Sequence, residues 1–167
     1  MHKTLLLLGT NVGNKEENLL DARRMIGKDI GRIEMLSSIY ETAAWGKEDQ
    51  AAYLNQVLVV STTKTALELM QQILKIESDM GRVRLEKWAP RVIDIDILFF
   101  DNLVLHEIGL HIPHPHLHER KFTLAPLAEL IPHYIHPEIG KSVGQLLREV
   151  NDHLEVRRVS SERENEN

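Results

Sequence analysis

Asp94 and Asp96 stand two apart in the apolar run Val92–Phe100, and Arg82, Arg84 and Arg91 lie just ahead of them with Trp88 in their midst. Residues two apart on a strand share a face, so the two carboxylates project side by side while Ile93, Ile95, Ile97 and Phe99 point the other way. Two adjacent carboxylates away from water are costly unless a cation, a shared proton or solvent meets them. A divalent metal on the carboxylates, with guanidinium groups facing an anion, supplies the parts that phosphoryl transfer needs. The plainer reading is an ion-pair cluster in which the arginines simply neutralise the aspartates, and the motif alone leaves both open. A second cluster is His111-Ile-Pro-His-Pro-His-Leu-His118, four histidines in eight residues stiffened by Pro113 and Pro115. It suggests metal binding, or loop histidines that hydrogen-bond phosphate or backbone. Arg120 and Phe122 follow it closely.

The elements that must position these groups follow from periodicity. Lys3–Leu8 reads as a buried strand, and Gly9–Asn14 as a turn that resembles neither a Walker A loop nor a dinucleotide fingerprint. Asn14 caps a helix with Glu17 at its third position, and Leu19, Ala22, Ile26 and Ile30 recur at helical spacing. Arg32–Thr42 and Tyr53–Thr62 read as strands, the latter with Tyr53, Asn55, Val57 and Val59 on one face and Leu54, Leu58 and Val60 on the other. Tyr53 beside the Asn55 amide suits a flat heterocycle as well as ordinary packing. Thr65 and Glu68 form a capping box ahead of a helix to Met80 that carries Glu77 near its end. The order strand, helix, strand, strand, helix, strand is that of an α+β, ferredoxin-like βαββαβ core. It predicts a four-stranded antiparallel sheet with both helices on one face and the other face free for a ligand. Phe122–Leu130 and Val143–Val150 add short C-terminal helices.

At 167 residues the chain is expected to form one domain over 1–159, with a disordered polar tail at 160–167. The absence of cysteine excludes disulfides, zinc-thiolate sites and thiol chemistry, which fits a cytoplasmic protein. The net charge of −5 argues against a general nucleic-acid binder, and Leu5–Leu8 is too short for a signal core or membrane span.

Taken together, these segments resemble the 6-hydroxymethyl-7,8-dihydropterin pyrophosphokinases of folate biosynthesis. The resemblance rests on Leu8-Gly-Thr-Asn-Val-Gly13, Ser38-Ile-Tyr-Glu-Thr42 with Gly46, Tyr53-Leu-Asn55, and Glu77 with Gly81-Arg-Val-Arg84. It continues through Trp88-Ala-Pro-Arg91 with Asp94-Ile-Asp-Ile97, Ile112-Pro-His-Pro115, Arg120-Lys-Phe122 and Pro126-Leu127. It implies diphosphate transfer from ATP to the pterin hydroxymethyl group with release of AMP. It also implies that Asp94 and Asp96 hold two magnesium ions, and that Arg82 and Arg91 steady the transferring phosphates on a loop whose closure excludes water. Glu77, Arg84, Trp88, Ile97, His111, His114 and Arg120 are expected at the nucleotide. The pterin ring is expected between Tyr53 and Phe122, with Thr42, Asn55, Gly9 and Trp45 around it. Ala43 and Ala44 depart from the prolines common there, as do Leu74 from a glutamine and Gly109 from an arginine; His116 and His118 have no family role. The resemblance says nothing of a general base, and a magnesium-bound carboxylate such as Asp96 has reduced basicity.

A metal-dependent phosphohydrolase built on Asp94, Asp96, His114 and His116, or a non-enzymatic ferredoxin-like ligand-binding module, are the competing readings. RNA binding would want a basic, aromatic sheet, which the acidic balance opposes. A monomer binding ATP and the pterin, without nucleic acid or membrane, is the expectation.

Overall fold

The computed structural model describes residues 1–43, 52–81 and 92–159. Its elements run β1 (His2–Thr10), α1 (Lys15–Asp29), β2 (Arg32–Leu36), β3 (Ile39–Thr42), β4 (Tyr53–Thr62), α2 (Ala66–Gly81) and β5 (Asp94–Phe100). A small hairpin of β6 (Leu105–Glu107) and β7 (Leu110–Ile112) follows, then a 3₁₀ turn (Leu117–Glu119), α3 (Lys121–Leu130), α4 (Val143–Glu149) and β8 (Val156–Val159). Both capping expectations hold: the Glu17 N–H donates to Asn14 Oδ1 at 3.1 Å, and Thr65 and Glu68 exchange reciprocal bonds at 3.0 and 3.2 Å.

The sheet is antiparallel in the order β5-β1-β4-β3-β8, with β2 also paired to β4. Its centre is the ferredoxin-like arrangement, and α1 and α2 lie together on one face as expected. Their Leu19, Ala22, Ile26, Leu69, Ile73 and Ile76 close over Leu6, Leu8, Leu58 and Val60 in one continuous core.

Four expectations need correction. Among the described residues the sheet has six strands and not four, because β8 returns to pair with β3 and the second expected strand is split into β2 and β3. The single strand expected over Arg32–Thr42 is two, since Leu36 faces Leu58 but Tyr40 faces Asn55, leaving one extra residue on the outer strand. Ser37 makes that break affordable in polar terms: its N–H donates to the Val57 carbonyl and its hydroxyl accepts the Val57 N–H, both at 2.9 Å. Phe99 does not share the face of Ile95 and Ile97. The β1–β5 register slips between Leu5 and Leu6, so Leu98 and Phe99 both enter the core on the far side while Phe100 returns to the helix side. Finally, the face opposite α1 and α2 is free only at one end. Leu124 and Leu127 of α3, with Val143 and Leu146 of α4, bury Leu5, Leu7, Val57, Val59 and Phe99 in a second core.

Candidate active site

The uncovered end of that face is an open cleft of about 850 Å³. Strand register explains its floor. Asp94 on β5, Gly9 on β1 and Asn55 on β4 are direct cross-strand partners, and directly opposed residues project to the same face. The next row is Asp96, Leu7 and Val57, where the second core begins. Two strand spacings separate Asp94 from Asn55, about 10 Å along the sheet. Gly9 sits between them because a Cβ there would lie 2.8 Å from Asn55 Nδ2. The glycine thus keeps the floor low and leaves the asparagine its place.

The Asn55 end carries a polar signal. Asn55 is 4% exposed and donates to the Leu8 carbonyl at 3.3 Å, while its Oδ1 has no hydrogen-bond partner among the described residues. The same is true of Thr42 Oγ1, equally buried, at the end of β3. Buried polar atoms are almost always satisfied, so two orphans lining one cleft mark where a ligand's polar edge belongs. Tyr53, opposite Thr42 in register, and Phe122, in the first turn of α3, add aromatic surface to the same cleft. The Arg120 guanidinium lies 5.7 Å from the Phe122 ring centre, a cation held on an aromatic face at the cleft wall.

The structure therefore brings together Asp94, Asp96, Arg120, Gly9, Thr42, Tyr53, Asn55 and Phe122 from the expected set. It places the other described members elsewhere. Ile97 is 4% exposed in the core beneath α1 and α2, so its side chain does not face the cleft. Glu77 lies on α2, and its Oε2 accepts the Ile95 N–H at 3.0 Å, pinning the outer edge of β5 beside the two aspartates. His111 is exposed on β7 with its ring 5.8 Å from that of His106. His114 is half-buried and is not among the residues that line the cleft; its N–H donates to the Leu98 carbonyl at 3.0 Å and its Nδ1 accepts the His116 N–H at 3.1 Å. Burial, with the Arg120 and His116 charges nearby, lowers its pKa to about 4. His114 is therefore neutral at physiological pH, with its proton on Nε2. Arg82, Arg84, Trp88, Arg91 and Trp45 lie outside the described residues.

Sequence reasoning missed one wall of the cleft, Asn151 to Leu154, together with Glu119. Nothing periodic marks that stretch; its only sign is an Asn-Asp pair just after a helix, a common way for a short polar side chain to fix a turn.

The cleft's donor set suits magnesium. Asp94 and Asp96 offer hard carboxylate oxygens on one face, and among the described residues no group of three or more histidines, cysteines or carboxylates converges on a point. Hard carboxylate oxygens are the ligands that magnesium takes alongside phosphate oxygens and water. The histidine-rich stretch does not supply a cage: the His114 and His116 rings pack edge to face 6.0 Å apart, and His116 pairs with Glu119 at 3.2 Å.

A ferredoxin-like sheet that carries a carboxylate pair at one end of a cleft, and a buried amide with two aromatics and an arginine towards the other, fits a phosphotransferase acting on a flat polar heterocycle. Residues 5–132 match the model of the 7,8-dihydro-6-hydroxymethylpterin-pyrophosphokinase family, and the chain belongs to that family. A relative from Aquifex aeolicus, named 2-amino-4-hydroxy-6-hydroxymethyldihydropteridine pyrophosphokinase, is 41% identical over 145 residues, 87% of this chain and 90% of the relative. One of the same name from Synechocystis is 37% identical over 151 residues, 90% of this chain and 77% of the relative. Among solved structures, the Plasmodium falciparum HPPK-DHPS protein shares the fold with a TM-score of 0.70 at 20% identity. The match covers 89% of this chain and 43% of that longer one.

Proposed function

We propose that this chain transfers diphosphate from ATP to the hydroxymethyl group of 6-hydroxymethyl-7,8-dihydropterin and releases AMP, the reaction of its family. The observation that carries the assignment within the cleft is the pair of orphaned buried atoms, Asn55 Oδ1 and Thr42 Oγ1, across the floor from Asp94 and Asp96. A pterin ring edge carries both donors and acceptors and satisfies an amide and a hydroxyl together. Tyr53 and Phe122 hold the ring faces. The ring's hydroxymethyl arm then reaches along the floor over Gly9 toward the aspartates.

Asp94 and Asp96 would hold two magnesium ions, which would supply positive charge to offset that of the triphosphate. Arg120 steadies the triphosphate from the α3 side, and neutral His114 donates from Nε2. Arg82 and Arg91, with Arg84 and Trp88, act from the segment outside the described residues, the first two on the charge that develops in transfer. The hydroxymethyl oxygen attacks the β-phosphorus, the bond from that phosphorus to the α,β-bridging oxygen breaks, and AMP departs carrying the oxygen. The hydroxyl proton is released to water as the new bond forms.

Nucleotide analysis tests the proposal. Purified protein with ATP, magnesium and the dihydropterin is expected to form AMP only when the pterin is present. ADP in place of AMP would overturn the site of attack, and pterin-independent phosphate release would make the protein a hydrolase.

A further inference from the structure

The geometry points to Asp152 as a positioning residue that makes the C-terminal arm a fixed wall of the pterin end of the cleft. This inference rests on the pyrophosphokinase reading above. The arm leaves α4 at Val150, lines the cleft with Asn151 to Leu154, and then joins the sheet as β8. Its two ends are tied to different elements. At the far end Val156 pairs with Thr42, the residue whose hydroxyl waits for a partner. At the near end the Asp152 carboxylate accepts the Lys121 N–H through Oδ2 and the Leu154 N–H through Oδ1, both at 3.0 Å.

The Lys121 bond matters because of its neighbours. Lys121 is the first residue of α3, and Arg120, the residue before it, has no side-chain cap of its own. Asp152 therefore supplies from 31 residues away the carboxylate that helix N-termini otherwise take from the preceding residue. It also places a negative charge at the positive end of the helix dipole. On either side of that capped N–H stand Arg120 and Phe122, the cation and aromatic facing the cleft. The second bond closes a local turn that sets the path of His153 and Leu154 toward Thr42. One side chain thus fixes the spacing between Phe122 and Thr42 across the ring's expected position. In a site that must hold a flat ring between preset walls, that spacing decides affinity more than turnover.

Three variants test this. Asp152→Ala removes both bonds. Asp152→Ser keeps a short acceptor for the local turn at Leu154 but cannot reach Lys121. Asp152→Asn keeps an acceptor able to cap α3. Steady-state kinetics with each substrate varied, alongside melting curves, are expected to show KM for the pterin raised about tenfold in the Ala and Ser variants. KM for ATP should rise less and kcat should stay within about threefold, while Asn, which keeps one acceptor for the α3 cap but turns its amide N–H2 towards the Leu154 N–H, should bring KM back part of the way to wild type. A folded Ser or Ala variant with wild-type KM for the pterin, or an Asn variant as impaired as Ala, would overturn the positioning role. Wild-type protein that makes no pterin-dependent AMP would instead overturn the pyrophosphokinase reading itself, so the two failures are distinct.

Discussion

The two faces of the sheet use the same strands for opposite ends. On the α1–α2 face the helices close over the sheet, with Leu6, Leu8, Leu19, Ile26, Leu58 and Ile76 fully buried. On the other face, α3 and α4 close half the surface in the same way, and then the cover stops. Where it stops, the residue types change from Leu7 and Val57 to Gly9 and Asn55, two residues away on β1 and β4, while Asp96 shares the last row of that core and Asp94 stands in the next. The change occurs within single strands, so stability and chemistry are not segregated by element. A face that is closed all over can only stabilise; a face closed halfway gives rigid backbone to groups that remain reachable.

The comparison breaks most sharply at the aspartates. Asp94→Ala or Asp96→Ala is expected to lower kcat by about a thousandfold or more with little change in melting temperature, because the role proposed for these carboxylates is to hold metal, and neither belongs to either hydrophobic core. Turnover close to wild type in either variant would show that the metal is held elsewhere. A matched pair of core truncations sharpens the contrast. Leu69→Ala, under the closed face, and Leu124→Ala, in α3, should each cost about 3 kcal/mol in denaturant unfolding. Only Leu124→Ala should also raise KM for the pterin, since α3 carries Phe122. Equal kinetic effects from both would mean that the faces are coupled as one unit.

Asn55→Ala removes the buried Oδ1 that the proposed pterin edge would satisfy, and is expected to weaken pterin affinity about thirtyfold while sparing ATP affinity. Isothermal titration with each substrate reads the difference. The smallest expected effect concerns pH. The His114 pKa, lowered to about 4 from the ordinary 6.5, means that the unfolded chain takes up a proton at higher pH than the folded one. Its contribution to stability is therefore complete above about pH 6.5 and is lost as pH falls toward 4, about 2 kcal/mol after allowance for partial exposure. Unfolding free energies of wild type and His114→Asn at pH 7 and 4.5 should differ by that slope. Parallel pH dependences would show that the histidine is not protected from protonation.

Much of this was legible in the residues. The caps at Asn14 and Thr65, the helical repeat of Leu19, Ala22 and Ile26, and the strand alternation around Asp94 and Asp96 are local patterns whose physics acts within a few residues. They were enough for the ferredoxin-like order and for both ends of the cleft. Motif resemblance added Arg120, Phe122 and Thr42, which periodicity alone would not have joined. It also brought in Ile97, whose side chain the structure buries in the core, and His111, which it leaves exposed on the small hairpin.

Tertiary structure alone decided what depends on register and return. The slip between Leu5 and Leu6 turned Phe99 from one core to the other, and no feature of the apolar run Ile97–Phe100 distinguishes the two outcomes. The placement of Asp94, Gly9 and Asn55 in one row is a pairing of three strands distant in sequence. The arm from Asn151 to Leu154 lines the cleft only because β8 finds the edge of β3 and Asp152 finds Lys121. The sequence by itself determined which residues were fit to bury, cap and carry charge, since those preferences are properties of each side chain and its near neighbours. Which of them meet across the cleft was left to long-range pairing, where one residue of register moves every side chain beyond it.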